Sequence, residues 1–244
     1  MGDGLKRETD EPPPVVRVWS ADLDLDDARI AALAGLLDQA ESARARRFHF
    51  ERDRRRFTAA RGILRTLLGR CLDVRPDTGV AFSYAGRGKP ALAVPGLPDG
   101  DRVCFNVSHS DGRALFAIAR GREVGIDLEA GARLGNDWPM LARRIFSARE
   151  QAELAAVPST QRRAAFLNGW TRKEAYLKAT AQGIVDGLTA IEVTLDPGNP
   201  PTLLAVPAGQ DVCAWTLYDL RTDERFAAAL VVAGKGARIE RLTF

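Results

Sequence analysis

The sequence contains little cysteine and no long apolar segment, and both shortages exclude classes of protein. Its three cysteines, Cys71, Cys104 and Cys213, are odd in number and widely spaced, which is typical neither of a disulfide framework nor of a zinc site. A reducing, cytoplasmic environment is therefore expected. No apolar run reaches the ~20 residues that a membrane-spanning helix needs. Residues 1–14 are charged and proline-rich and lack the hydrophobic core of a signal peptide, so we predict a disordered N-terminal segment and no membrane binding.

Lysine is also scarce, with five lysines against thirty arginines among the 244 residues and a net charge of +3. Abundant arginine often reflects a GC-rich genome and is weak evidence for function. Three of the five lysines, Lys89, Lys173 and Lys178, fall in the motifs described below. Arginine cannot replace lysine where a point charge with rotatable donors is needed, so these three positions are of interest.

The composition, 45% hydrophobic and 27% charged, predicts a globular protein of one large domain or two small ones. Predicted helices and strands are mixed without regular βαβ alternation, which favours an α+β fold. Two halves of similar content predict two related lobes, residues 15–121 and 122–244, although no clear sequence repeat accompanies them. Predicted strands cover 15–19, 80–84, 103–107, 114–119, 124–128, 191–195, 202–206, 212–218 and 226–232; predicted helices cover 26–40, a segment through 57–68, 139–146, 147–156 and 160–180. Asp111-Gly112 predicts a hairpin between the strands 103–107 and 114–119.

A pair of carboxylates lies in the predicted strand Val124-Gly-Ile-Asp-Leu-Glu129. Because side chains alternate across a strand, Asp127 and Glu129 share one face, while Val124, Ile126 and Leu128 share the other. Two oxygens held side by side on a rigid strand suit a hard divalent cation. Taken alone, however, such a pair is usually a solvated face.

A third carboxylate, Glu174, lies on the predicted helix 160–180, and Lys178 follows it by one turn. Phe166, Trp170 and Leu177 occupy the same stripe, which places Glu174 and Lys178 at the margin of the buried face. A cation with carboxylates beside a positioned ammonium suits phosphate or diphosphate chemistry. The alternative is a surface ion pair worth about 0.3–0.5 kcal/mol.

Several basic residues are candidates for binding phosphate. Eight arginines crowd positions 44–61, and although most are expected to face solvent or attract an acidic partner, Arg61 borders the buried face and is expected to point into a cleft. The segment 86–90 is Gly-Arg-Gly-Lys-Pro, which is not a Walker A loop; Lys89 is either a phosphate ligand or part of an exposed turn. His109, in Asn106-Val-Ser-His-Ser110, would be charged near phosphates. Asn106 and Ser108 are expected to fix the loop.

Together these segments resemble the 4′-phosphopantetheinyl transferases, specifically the larger, single-chain, surfactin-type class. The resemblance covers about residues 15 to 200. The matching segments, in the order of the family, are the arginine-rich stretch 46–61 and then 88–92, 105–110, 124–129 and 166–183. One departure is Ala181, where the family often has the first of two glycines; Gly183 is retained.

The resemblance implies a fold of two α+β lobes related by a pseudo-two-fold axis, with coenzyme A between them. It implies transfer of phosphopantetheine from coenzyme A to a serine hydroxyl of an apo acyl or peptidyl carrier protein, with release of adenosine 3′,5′-bisphosphate. Asp127, Glu129 and Glu174 would hold Mg²⁺, or Mn²⁺ in its place, and Lys178 would contact the leaving phosphate. Phosphate contacts are implied for Lys89, Ser108 and His109, with Arg44 and Arg61 on the side of the 3′-phosphate.

Some questions stay open at this level. Glu174 is a candidate general base, a metal ligand or both, and fatty-acid, polyketide and nonribosomal-peptide carriers are all compatible with the sequence. A monomer is expected. One rival hypothesis is a nucleic-acid-binding module that uses the arginines, which leaves the three carboxylates unexplained. Another is a metal-dependent phosphohydrolase, for which no separate water-activating cluster is visible.

Overall fold

The computed structural model describes residues 13–85, 89–93, 99–181, 187–221 and 223–244. Most of the predicted N-terminal segment 1–14 therefore lies outside the described residues. The helices are α1 Asp27–Ala34, α2 Gln39–Arg46, α3 Glu51–Leu72, α4 Trp138–Ile145, α5 Ala148–Ala156 and α6 Arg162–Thr180. The strands are β1 Val15–Asp22, β2 Phe82–Ala85, β3 Lys89–Leu92, β4 Val103–Ser110, β5 Arg113–Arg120, β6 Val124–Ala130, β7 Glu192–Val193, β8 Leu203–Ala205, β9 Trp215–Asp219, β10 Phe226–Ala233 and β11 Arg238–Thr243. The predicted α+β class is confirmed.

The first sheet has the strand order β11-β1-β5-β4. Strands β4 and β5 form the predicted hairpin, since Asp111 and Gly112 adopt the left-handed φ values of 45° and 78° that a tight two-residue turn requires. Helix α3 packs on this sheet through Ile63, Leu67 and Leu68, which are all at most 2% exposed. The aliphatic face of α3 thereby covers one side of the first sheet.

The second sheet has the order β6-β10-β9, and α6 lies across it. Gly125 is the point of closest approach, because a Cβ atom built there would lie 2.0 Å from the carbonyl oxygen of Ala175 and 2.2 Å from the backbone nitrogen of Ala179. Only glycine permits this distance between helix and strand. The contact places the α6 turn that carries Glu174 and Lys178 directly over β6.

The two sheets meet where β4 lies beside β6, and residues from both build one shared core, including Val16, Ala117, Ile126 and Leu230. The proposed boundary at residue 121 falls in the turn between β5 and β6. The last strand nevertheless returns to the first sheet: β11 pairs in parallel with β1, from Val15 with Arg238 to Ser20 with Thr243. The division at 121/122 stays a prediction, and β11 crosses it.

The secondary structure differs from the predictions at several points. The single helix predicted for 26–40 is two helices, because Asp38 caps α2 and forms a reciprocal capping box with Glu41. The strand predicted from residue 212 starts with a 3₁₀ turn, Val212–Ala214, and those predicted for 191–195 and 202–206 shorten to Glu192–Val193 and Leu203–Ala205. Strand β11 was missed because it is a charged edge strand without an apolar alternation. Within the described ranges, no helix is both long and apolar enough to span a membrane.

Candidate active site

Strands β4 and β6 are joined by side chains of β4 that accept hydrogen bonds from the backbone of β6. Asn106 Oδ1 accepts from the Ile126 N–H (2.9 Å), Ser108 Oγ from the Leu128 N–H (3.2 Å) and Ser110 Oγ from the Ala130 N–H (3.1 Å). The constant offset of 20 residues shows that the strands run in parallel. We call this set of three contacts the polar ladder; it fixes the register of the two sheets at the site.

Asp127 and Glu129 extend from β6 between the rungs of the ladder, on the face opposite Ile126 and Leu128. The apolar residues are fully buried, so the predicted division of β6 into an acidic and an apolar face is confirmed. Ser108 donates to Asp127 Oδ1 (2.9 Å) and Ser110 donates to Glu129 Oε2 (3.1 Å). Each serine therefore accepts from the backbone of β6 and donates to one of its carboxylates.

Lys178 reaches this acidic face from α6. Its Nζ lies 2.6 Å from Asp127 Oδ1 and 3.1 Å from Ser108 Oγ, and its side chain is 30% exposed. Helical spacing would allow Lys178 to form a surface ion pair with Glu174. In the structure, Lys178 of α6 instead forms an ion pair with Asp127 of β6. The ammonium lies at the rim of the site, in contact with both a carboxylate and solvent.

Glu174 faces the same space but has no such partner. Among the described residues, Glu174 Oε1 and Asp127 Oδ2 are the two buried side-chain oxygens or nitrogens that make no hydrogen bond. Burial, followed by repulsion from Asp127, raises the pKa of Glu174 from 4.5 to about 7. Burial and the charge of Asp127 also raise the pKa of Glu129, although hydrogen bonds from Ser110 and Trp170 oppose the rise.

These oxygens fit a divalent cation by their chemistry but are not preassembled around one. Carboxylates are the donors that Mg²⁺ prefers, and the two unpartnered oxygens are the kind of buried acceptor that a cation satisfies. Across the described ranges, however, no three His, Cys, Asp or Glu side chains are close enough together to hold a metal as they stand. Binding a cation at Asp127, Glu129 and Glu174 thus requires their side chains to turn toward one another.

His109 lies on the side of β4 that faces away from the polar ladder, and it is exposed. Crowding of the ring by surrounding protein, followed by the positive charge of Lys178, lowers its pKa.

Arg61 and Arg44 line a cavity of about 720 Å³ between α2, α3 and β2. The Arg61 guanidinium carbon lies 3.8 Å from the centre of the Phe82 ring, and its Nε donates to the buried Glu41. The guanidinium of Arg44 stands over Phe57 at 5.2 Å. The prediction that Arg61 points into a cleft is confirmed. Lys89 belongs to β3, but its side chain and residues 86–88 lie outside the described part of the chain.

Comparison with known proteins identifies the family. Residues 25–120 match the family described as "4'-phosphopantetheinyl transferase, N-terminal", and residues 123–231 match the "4'-phosphopantetheinyl transferase superfamily". The chain is 43% identical over 221 residues to the 4'-phosphopantetheinyl transferase HetI of Nostoc sp., covering 91% of this chain and 89% of that protein. This chain belongs to the 4′-phosphopantetheinyl transferase family.

The transferase is also 29% identical to a 4'-phosphopantetheinyl transferase of Bacillus subtilis, over 78% of this chain and 79% of that one. Among solved structures, a holo-(acyl-carrier-protein) synthase from Bacillus anthracis in complex with CoA (3',5'-ADP) is 24% identical. It covers 46% of this chain and 94% of its own, with a TM-score of 0.38.

The transferase has features that the sequence alone did not reveal. Glu41 is 5% exposed and binds both Arg61 and Arg65; its only signal was the capping box that begins at Asp38. Lys173 is fully buried, and its Nζ donates to Glu150 Oε2 (2.6 Å) and to the carbonyls of Ile145 and Leu188 (2.8 Å each). Lys173 therefore joins α6 to the end of α4, to α5 and to Leu188, and it does not enter the site.

A second cavity of the transferase, about 620 Å³, is lined in part by the end of α6, Ala179 to Ala181. Pro90, Phe105 and Trp215 form part of its apolar wall. Ala181, at the end of α6, adopts the left-handed φ of 56°, the conformation that favours glycine at this position. Gly183 lies outside the described residues.

Proposed function

We propose that this transferase moves 4′-phosphopantetheine from coenzyme A to a serine hydroxyl of an apo acyl or peptidyl carrier protein and releases adenosine 3′,5′-bisphosphate. The observation that carries the proposal is the convergence of Lys178 on Asp127 beside two buried carboxylate oxygens without partners. An anionic diphosphate cannot approach three carboxylates unless a cation accompanies it. The acidic face of β6 therefore requires a cation, and the ammonium of Lys178 supplies a donor for the phosphate.

We infer that Asp127, Glu129 and Glu174 hold Mg²⁺, with Mn²⁺ as a substitute. When bound, this ion would neutralise charge on the diphosphate and lower the cost of burying the carboxylates. The all-oxygen donor set and the unpartnered Asp127 Oδ2 and Glu174 Oε1 support this assignment.

Glu174 is the candidate base for the serine hydroxyl. Its Oε1 is buried without a hydrogen-bond partner, so this oxygen is available to accept a proton from the incoming hydroxyl. In the proposed reaction the carboxylate takes the hydroxyl proton, the serine oxygen bonds to the β-phosphorus of coenzyme A, and the phosphoanhydride bond to adenosine 3′,5′-bisphosphate breaks. The proton then passes from Glu174 to solvent.

Lys178 is the candidate donor to the leaving phosphate. Its ammonium is held by Asp127 and Ser108 and remains 30% exposed, so it can share its three donors with an incoming oxygen. Charge builds on the departing phosphate as the bond breaks, and a positioned ammonium stabilises that charge most in the transition state. Ser108 and His109 are also proposed to lie near the phosphates, from opposite faces of β4.

Arg61 and Arg44, with Lys89, are proposed to contact the nucleotide phosphates, the two arginines on the side of the 3′-phosphate. A guanidinium binds phosphate bidentately, and both arginines line one cavity. The second cavity, lined by the end of α6, Phe105 and Trp215, is proposed to take the organic part of coenzyme A. Of the other arginines, Arg55 and Arg56 already form ion pairs with Asp27 and Asp24, which weakens the hypothesis of a nucleic-acid-binding face.

We further infer that the transferase acts as a cytoplasmic monomer without a membrane or nucleic-acid partner. Light scattering coupled to size-exclusion chromatography tests the oligomeric state. A mass near twice 26.5 kDa would overturn that inference and leave the proposed reaction untouched.

Intact-protein mass spectrometry of apo carrier proteins tests the proposed function. Carriers from fatty-acid, polyketide and nonribosomal-peptide synthesis are each incubated with the transferase, coenzyme A and Mg²⁺. The expected result is a gain of one phosphopantetheine, abolished by a serine-to-alanine carrier and by a chelator. Modification that persists in chelator would overturn the metal assignment, and hydrolysis of coenzyme A without a carrier product would favour the phosphohydrolase.

A further inference from the structure

The polar ladder does more than join two sheets. Two of its three rungs, Ser108 and Ser110, each contact a carboxylate of β6 as well as its backbone, whereas Asn106 contacts the backbone alone. A serine hydroxyl has one proton and two lone pairs. The Ser110 lone pair is used by the Ala130 N–H, and its proton is directed at Glu129 Oε2. The orientation of this hydroxyl is therefore set by the backbone of the strand that carries Glu129.

We propose that Ser110 is a positioning residue that aims the Glu129 carboxylate toward the cation site. This inference rests on the proposed function, because it assigns Glu129 to the metal. Ser110 is 4% exposed and lies 3.1 Å from Glu129 Oε2, so the contact is shielded from competing water. Ser110 holds one oxygen of Glu129, and Trp170 also donates a hydrogen bond to this carboxylate. Together these contacts limit the directions in which the Glu129 side chain can turn toward a cation.

Ser110 is distinguishable from its neighbours on β4. Ser108 contacts Lys178 and Asp127 directly and already belongs to the reacting part of the site. His109 is exposed on the other face of β4. Ser110 contacts neither Lys178 nor Asp127 in the described structure, and its side chain acts on the site through Glu129.

The alternative role for Ser110 is purely structural, as a fastener between the sheets. Asn106 provides the matched control, since Asn106→Ala removes a rung of the same ladder but frees no carboxylate. Both Asn106→Ala and Ser110→Ala leave one backbone N–H of β6 without its acceptor. Any effect that only Ser110→Ala produces must come from the contact with Glu129.

The experiment measures Mn²⁺ binding to the full chain by electron paramagnetic resonance, with and without coenzyme A. Outer-sphere partners of metal ligands contribute about 10- to 100-fold to metal affinity, so Ser110→Ala is expected to weaken binding about 10-fold. Asn106→Ala should lower the melting temperature and change the Mn²⁺ affinity less than about 2-fold, while Ser110→Thr, which keeps the hydroxyl, should restore it. The double variant Ser110→Ala/Glu129→Gln should bind no more weakly than Glu129→Gln alone, because positioning has no effect once the carboxylate is gone.

Two results overturn the inference alone: equal weakening by Asn106→Ala and Ser110→Ala, or additive effects in the double variant. If Glu129→Gln leaves Mn²⁺ affinity unchanged, the metal assignment itself fails and the role of Ser110 fails with it. Should Ser110→Ala not fold, Ser110→Cys keeps the side-chain volume with a much weaker donor and serves in its place.

Discussion

Lys178 and Asp127 form an ion pair between helix α6 and strand β6, with 2.6 Å between Nζ and Oδ1, while the other oxygen of the same carboxylate is buried without a partner. One oxygen of Asp127 is thus bound to the candidate phosphate donor, and the other faces the candidate cation site. Asp127 thereby lies between the ammonium of Lys178 and the proposed cation, the two positive charges that a diphosphate would meet.

Replacing Lys178 should slow the chemical step more than it weakens binding. Lys178→Ala is expected to lower kcat about 10²–10³-fold, because the ammonium acts on charge that develops during bond cleavage. The control is Lys235→Ala, the same substitution at an exposed turn. Steady-state kinetics with a carrier protein separate the two parameters; a higher KM for coenzyme A with unchanged kcat would assign Lys178 to substrate binding.

Glu174 should make the metal-free protein less stable as the pH rises. Because its folded-state pKa is raised from 4.5 to about 7, the folded state holds this proton more tightly than the unfolded chain. The associated stability is complete below pH 4.5 and is lost as the pH rises to about 7. At pH 8 in chelator, Glu174→Gln should therefore raise the free energy of unfolding by up to about 3 kcal/mol while abolishing transfer.

Urea titrations of Glu174→Gln and the unmodified chain at pH 4.5 and pH 8 provide the measurement. The difference between the two proteins should shrink at pH 4.5, where Glu174 is protonated in the folded chain and about half protonated in the unfolded chain. Added Mg²⁺ should stabilise the unmodified chain at pH 8 more than the variant. A difference that does not depend on pH would contradict the burial of an unpartnered carboxyl.

Arg61 should discriminate between coenzyme A and 3′-dephospho-coenzyme A. Arg61→Ala is expected to raise KM for coenzyme A about 10- to 100-fold, as for loss of one hydrogen-bonded charge pair, and to change KM for the dephosphorylated analogue little. Arg55→Ala, which removes a surface arginine of the same helix paired with Asp27, is the control. Equal losses with both substrates would exclude contact with the 3′-phosphate.

Gly125 should tolerate no side chain. Gly125→Ala places a methyl group 2.0 Å from the Ala175 carbonyl oxygen, so α6 must move away from β6 or the protein must unfold. A loss of stability above about 3 kcal/mol is expected, together with loss of activity, since α6 carries Glu174 and Lys178. Gly100→Ala, where no atom lies within 4 Å of the added carbon, should behave as the unmodified chain in thermal unfolding.

The sequence predicted those parts of the site that depend on local geometry. Alternation along one strand was enough to place Asp127 and Glu129 together, and helical spacing was enough to place Glu174 beside Lys178. The partner of Lys178 could not be predicted, because it is set by the distance between α6 and β6, which Gly125 controls. Ser110 and Glu41 were missed for the same reason: their partners are distant in the chain.

The fold, too, was predictable where it depends on neighbouring residues and unpredictable where it depends on residues far apart in the chain. The Asp111-Gly112 turn and most strand positions followed from the residues themselves. The apolar pattern of 26–40 is divided between two helices because Asp38 caps the start of α2. Strand β11 is specified by pairing with β1 rather than by its own residues. The end of α6 at Ala181 adopts a left-handed conformation despite its side chain, so tertiary contacts override the local preference there.

The parallel pairing of β1 with β11 has a consequence for biosynthesis. Arg17 on the first strand binds Glu240 on the last, 223 positions later in the chain. During translation, the edge of β1 that pairs with β11 stays unpaired until β11 has been synthesised. The first sheet can therefore be completed only after β11 has been made, and until then one edge of β1 can pair with strands of other chains.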